Sequence, residues 1–180
     1  MASLEGRRGN GQSPWRSLML AALCSSLVAA AGLAVPSIGI ASSTPRCATS
    51  NLRLDKVGES DFTSHRGLSF AFRNVGTVTC HLSGYPGVRL LGRTARSLRT
   101  RIGHFGGPPH TVILRPWHRA FFGITFAVSG PCPQAVFADG IRVAPPGAAS
   151  GLVWYAGRFD LCGPAPARLE VSPLAFPRQF

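Results

Sequence analysis

Between Leu68 and Leu91 the chain alternates apolar and polar residues at a period of two and interrupts itself twice with glycine-containing turns, the pattern of a β-rich fold. Leu68, Phe70 and Phe72 share one face, while Ser69, Ala71 and Arg73 share the other, as a strand with one buried face requires. Asn74-Val75-Gly76-Thr77 supplies turn residues, glycine tolerating the positive φ of a tight hairpin. Past that turn, Val78, Cys80 and Leu82 fall on one face and Thr77, Thr79 and His81 on the other, so Cys80 is expected to point inward with Val78 and Leu82. Ser83 to Gly87 breaks the pattern, and Val88 and Leu90 resume it with Arg89 facing out. Three short antiparallel strands in succession are expected.

A second alternation places Ala120, Phe122, Ile124, Phe126 and Val128 against Phe121, Gly123, Thr125 and Ala127, with Phe121 expected to lie under a loop. Leu52, Leu54 and Val57 mark a first strand. Gly58 to Gly67, carrying Glu59, Asp61, His65 and Arg66, reads as a polar loop. Gly92 to Gly107 reads as an exposed hairpin or loop, and Thr111 to Leu114 as a strand. The two prolines around Cys132 place Gly130 to Gln134 in a loop. Ile141 to Val143 and Leu152 to Tyr155 read as short strands flanking a Pro145 to Gly151 loop. Cys162 falls in a glycine and proline segment, and Leu169 and Val171, with Leu174, form a closing strand. No helical period follows the N-terminal segment. The expected fold is all-β, an antiparallel immunoglobulin-like β-sandwich of about eight short strands.

The 180 residues suit one domain plus a targeting segment. Arg7, Arg8 and Arg16 precede an apolar run from Leu18 to Ala41, the order of an export signal. Gly39-Ile40-Ala41 predicts cleavage after Ala41, with Ala29-Ala30-Ala31 as an earlier alternative. The run is also as long as the roughly 20 residues of a spanning helix, so its retention as an anchor is the competing expectation, with the arginines on the cytoplasmic side. Cys24 follows Leu23, where a lipoprotein signal has a small residue, and Arg7-Arg8 lacks the apolar residues that follow a twin-arginine pair. The expected organisation is a signal peptide or anchor helix over residues 1–41, a linker over 42–46 and a domain over 47–180.

Removal of that segment leaves Cys47, Cys80, Cys132 and Cys162, an even number in an exported domain, which implies two disulfides. Of the three possible pairings we expect Cys47 with Cys80 and Cys132 with Cys162, each closing a loop of about thirty residues and each contributing roughly 3 to 4 kcal/mol in the chain-entropy picture. A metal site would need closely spaced ligand pairs such as C-x-x-C, and none occurs.

The arrangement of Asn74-Val75-Gly76-Thr77, Cys80 and Gly84-Tyr85-Pro86-Gly87-Val88 resembles the signature of the domain of unknown function 4232 family, secreted or envelope-associated domains of high-GC Gram-positive bacteria. The resemblance runs from about Cys47 to the C-terminus. It implies a β fold outside the cytoplasm and carries over no catalytic residue, because the family has no established activity. At Leu114-Arg115-Pro116-Trp117-His118-Arg119-Ala120 the family more often has a proline-glycine turn before the alanine. Here Trp117 stands in that turn.

Chemistry-bearing motifs are sparse. Asp55, Glu59, Asp61, Asp139, Asp160 and Glu170 show no paired-carboxylate spacing of a glycosidase. There is no G-x-S-x-G, so Ser83 before Gly84 reads as a turn residue. No G-x-x-x-x-G-K-[ST] phosphate loop is present either. His65, His81, His104, His110 and His118 are not spaced as a local metal-ligand pair, and both methionines, Met1 and Met19, lie in the signal, which leaves a blue-copper site without its axial ligand. No catalytic residue, metal or cofactor is therefore assigned.

Basic residues number 19 against 7 acidic ones. The surplus is what a GC-rich genome produces, since arginine, alanine, glycine and proline are all abundant. It gathers nevertheless at Arg89, Arg93, Arg96, Arg99 and Arg101, and arginine's planar fork pairs with phosphate and carboxylate in two-point contacts. The bland reading is a solvated loop. The functional one is an anion-binding patch for anionic cell-envelope polymers or lipid head groups. Nucleic acid is not an expected partner of an exported domain, and membrane contact is expected only through an uncleaved N-terminal helix. The expected function is a non-catalytic binding or structural module. The alternative is an extracellular hydrolase or metal or redox protein with a site assembled from residues distant in sequence.

Overall fold

A computed structural model describes residues 43–128, 132 and 134–175. The expected signal or anchor helix, and most of the Gly130 to Gln134 loop, lie outside these. The described chain is all-β, with ten strands rather than about eight: β1 (Leu52–Asp61), β2 (His65–Asn74), β3 (Cys80–Ser83), β4 (Gly87–Leu91), β5 (Thr100–His104), β6 (Thr111–Leu114), β7 (Arg119–Ala127), β8 (Ala135–Ala144), β9 (Leu152–Cys162) and β10 (Ala167–Val171). The extra strands, and the greater length of several, come from segments with weak apolar alternation. Two short 3-10 turns, Thr49–Asn51 and Arg93–Ala95, are the helical elements among the described residues. No helix there is long and apolar enough to cross a membrane.

The strands form a five-stranded sheet in the order β1-β2-β7-β10-β5, a two-stranded pair β3-β6 and a three-stranded sheet β4-β8-β9. Leu68, Phe70 and Phe72 of β2 and Ala120, Phe122, Ile124 and Phe126 of β7 are buried, as their alternation predicts. Phe122 stacks on Phe72 and Phe70, with ring centroids 5.1 and 5.7 Å apart. Trp154 of β9 meets Phe70 edge-on at 5.3 Å, joining the five-stranded and three-stranded sheets through one apolar interior. Burial of such aromatic pairs is the main favourable term in a sandwich core.

Several local expectations are corrected. Gly58 to Gly67 is not a loop: Gly58 to Asp61 ends β1, and His65 to Gly67 begins β2, closed by the Phe62 N–H donating to the His65 carbonyl at 2.8 Å. The hairpin extends through charge pairs instead of apolar alternation, because Arg66 reaches both Asp61 (2.8 Å) and Glu59 (3.4 Å). Opposite charges across two strands stabilise a ladder as apolar pairs do. The hydrogen bond from Arg66 to Asp61 also raises the guanidinium pKa above its ordinary value.

The three central strands do not pair with one another. β2 lies between β1 and β7, β3 pairs with β6, and β4 pairs with β8. The Asn74 to Thr77 turn is therefore a crossing between sheets, organised by the fully buried Asn74. Its Nδ2 donates to the carbonyls of Val78 (2.9 Å) and Leu114 (3.1 Å), and its Oδ1 accepts from the Gly76 N–H (3.0 Å). Because β3 begins only at Cys80, Val78 stays 61% exposed instead of pointing inward with Cys80 and Leu82.

Gly92 to Gly107, expected as an exposed hairpin or loop, opens with a tight reversal in which the Gly92 N–H donates to the Arg96 carbonyl at 2.8 Å, but it then forms β5, which runs parallel to β10. β10 does not close an edge: it is inserted between β7, to which it is antiparallel, and β5. Ile141 to Val143 and Leu152 to Tyr155 are the paired ends of the much longer β8 and β9, and Cys162, expected in a glycine and proline segment, is the last residue of β9. Phe121 is half-buried, and beside it Ala175 exchanges two backbone hydrogen bonds of 2.8 Å with it.

Thr44 to Arg46, expected as a linker, run along β3: the His81 N–H donates to Pro45 at 2.8 Å and the Cys47 N–H to His81 at 3.0 Å. Cys47 is bonded to Cys80, with Cα atoms 4.9 Å apart, and Cys132 to Cys162, at 5.4 Å. Both are the expected pairs, and disulfides point to an oxidising, extracytoplasmic environment.

Candidate anion-binding edge

Arg89 is the middle residue of β4, and its position in the alternation turns it away from the core. Directly across the ladder stands Arg142 of β8. Arg101, exposed on β5, stands in the same way opposite Arg168 of β10. Side chains facing each other across a ladder lie about 5 Å apart at Cβ, where like charges repel. None of these four guanidinium groups forms an ion pair among the described residues. Glu170, two positions along β10 from Arg168, is the nearest acid in the register.

Three cavities open along this side. One of about 580 Å³ is walled by Arg89, Arg99 and Arg101 with Val88 and Ile102. The next, about 740 Å³, shares Val88, Arg89, Ser97 and Ile102 and adds Arg142, Tyr85 and His104. There the Tyr85 and His104 rings stack with centroids 3.9 Å apart, and the Tyr85 hydroxyl donates to the Gly107 carbonyl at 2.6 Å. The third, about 390 Å³, carries Arg101, Arg168, His65 and Glu170 beside Cys162. The edge thus presents several two-point donors over open space, an arrangement suited to holding anions.

The structure brings together three of the five arginines singled out in the sequence. Arg89, Arg99 and Arg101 wall one cavity. Arg93 and Arg96 are exposed on and just after the turn Arg93–Ala95, where Thr94 and Ala95 adopt left-handed φ values of 60° and 57°, and they line none of the three cavities. Arg142 and Arg168 were not foreseen. Each is a single basic residue between apolar neighbours, which marks an outward-facing strand position, but its opposite number is set by register.

The histidines are dispersed. His81 Nδ1 lies 2.8 Å from the Thr44 carbonyl, His65 opens β2, and His104 stacks on Tyr85. Among the described residues no three histidine, cysteine or acidic side chains lie close enough to hold a metal ion.

Trp117 is a separate feature, 68% exposed with φ of 68° in the turn between β6 and β7. Its N–H donates to the Asn74 carbonyl at 2.7 Å. A bulky residue in the left-handed region is uncommon and strained.

No curated protein and no solved structure matches this chain. One family model does, over residues 47–175, which include both disulfides, all ten strands and the arginine edge, and the chain therefore belongs to the family described as Domain of unknown function (DUF4232).

Proposed function

We propose that this protein is a non-catalytic binding module working outside the cytoplasmic membrane, delivered there by its N-terminal segment and holding anionic envelope polymers or lipid head groups on its arginine edge. The observation that carries this reading is the pair of cross-strand contacts, Arg89 with Arg142 and Arg101 with Arg168, that no ion pair of the described fold neutralises. Placing like charges opposite one another lowers the stability of a ladder, and a bound anion relieves the repulsion. Phosphate is the chemistry shared by wall polymers and lipid head groups, and arginine binds it through paired N–H groups.

The test is sedimentation of the protein with purified anionic wall polymer in one arm and with phosphatidylglycerol vesicles in the other, each at 20 to 300 mM salt as the working range. The expected result is binding in one arm that falls steeply with salt, since exposed charges are screened over about 10 Å at 0.1 M. Replacing Arg89, Arg99, Arg101, Arg142 and Arg168 with glutamine is expected to remove it. Binding that survives this replacement, or that is absent from both arms at the lowest salt, rejects the reading.

A further inference from the structure

β4 and β5 are the facing edges of two different sheets; beyond the Tyr85–His104 ring stack at one end, their backbones meet only at the other. There the Leu98 N–H donates to the Leu90 carbonyl at 2.9 Å, and the Leu90 N–H reaches Thr100 Oγ1 at 3.4 Å. Leu90 therefore turns its backbone groups toward β5. Backbone groups alternate sides along a strand, so those of Val88 turn the same way, while Gly87, Arg89 and Leu91 face β8. On β5 the Arg99 carbonyl accepts from Ala167 at 3.1 Å, and the Phe105 N–H donates to Val171 at 3.3 Å, which assigns odd-numbered residues to β10. Ile102 and His104 then turn theirs toward β4. Val88 and Ile102 line both of the two larger cavities, and among the described residues neither has a backbone partner on that side. Free N–H and C=O groups along both walls of one groove are what an additional strand would satisfy.

The side chains repeat the same alternation. Val88 is buried and Ile102 packs against the core, whereas Arg89 and Arg101 face out. We infer that the groove between β4 and β5 receives an extended acidic polypeptide segment as an added strand, with apolar residues continuing the core between Val88 and Ile102 and acidic residues alternating outward onto Arg89 and Arg101. With Leu90 already bonded to Leu98 and Thr100, the free stretch runs from Gly87 to Arg89 on β4 and from Arg101 to His104 on β5, so about three residues of the segment, roughly 10 Å, are engaged. The segments of this sequence outside the described residues carry a single acid, Glu5, so none of them has the alternating acids of the occupant. The inference shares its charged rim with the function proposed above, but its content comes from the unpaired strand edges, which a wall polymer or lipid surface does not require.

The experiment uses the full chain with a ten-residue peptide of alternating valine and glutamate, at low salt. The expected result is saturable binding that slows amide exchange at Val88 and Ile102 at least tenfold. The combined Arg89→Gln and Arg101→Gln variant is expected to weaken it at least tenfold, and a peptide of the same sequence N-methylated at alternate residues to bind at least tenfold more weakly. Equal binding of the methylated peptide, or binding without amide protection, overturns strand addition and leaves arginine-dependent anion binding standing. Absence of binding to the peptide while polyphosphate or vesicles bind has the same meaning. Absence of binding to the peptide, polyphosphate and vesicles alike removes both readings.

Discussion

The arginines around Asp55 and those along the β4–β5 groove are the same side chain in two electrostatic settings. Arg53, Arg73 and Arg119 form a row across β1, β2 and β7, and all three converge on Asp55, with contacts of 3.3, 3.2 and 3.5 Å. The Asp55 side chain is only 15% exposed, so one carboxylate in a partly desolvated position organises three cations. Arg89 with Arg142 and Arg101 with Arg168 also stand opposite one another, in an antiparallel and a parallel ladder, with no carboxylate paired between them among the described residues. A basic surplus can therefore be partly absorbed into the fold or left facing solvent, and the position of a few acids decides which.

The sharpest way to separate the two sides is through stability. Asn74 closes the Asp55 side, and Asn74→Ala leaves the Val78 and Leu114 carbonyls and the Gly76 N–H without its amide, a loss of about 3 kcal/mol read from the urea midpoint. Asp55→Ala leaves three arginines side by side and is expected to cost about 2 kcal/mol, with part of the loss recovered in Asp55→Ala combined with Arg73→Ala. A change near zero for Asp55→Ala would erase the distinction between the sides.

Trp117→Gly is expected to raise stability by about 1 kcal/mol, because glycine adopts the left-handed conformation of that turn without strain, and Trp117→Ala to show no such gain. The smallest effect belongs to the open edge. Arg89→Gln or Arg101→Gln is expected to move stability by no more than about 0.5 kcal/mol, toward stabilisation because a like-charge pair is relieved, while anion binding declines. A loss as large as that of Asp55→Ala would make these arginines structural and end the functional contrast.

How much of this was legible in the sequence differs between elements. β2, β6 and β7 were readable because the large buried residues of each follow a period-two pattern, although Ala71 on the other face of β2 is buried as well. The Gly58 to Gly67 hairpin was not, because it is extended by Arg66, Asp61 and Glu59, whose pairing is invisible until two strands are aligned. β5 and the distal halves of β8 and β9 carry too little alternation to stand out. Of the candidate site, Arg89, Arg99 and Arg101 were visible as a local cluster, but Arg142 and Arg168 join them only through the β4–β8 and β5–β10 registers.

The sequence by itself determined the class of fold, the inward position of Cys80, the even number of cysteines that implies two disulfides and the excess of arginine, since each is a property of local spacing or count. Tertiary structure alone decided that consecutive strands part company at Asn74, that the last strand enters the middle of a sheet, and that two strand edges are left facing one another across an arginine-rimmed groove. Those outcomes depend on which distant backbone groups satisfy each other's hydrogen bonds, a choice that loop closure and core packing make over the whole chain and that no local pattern encodes.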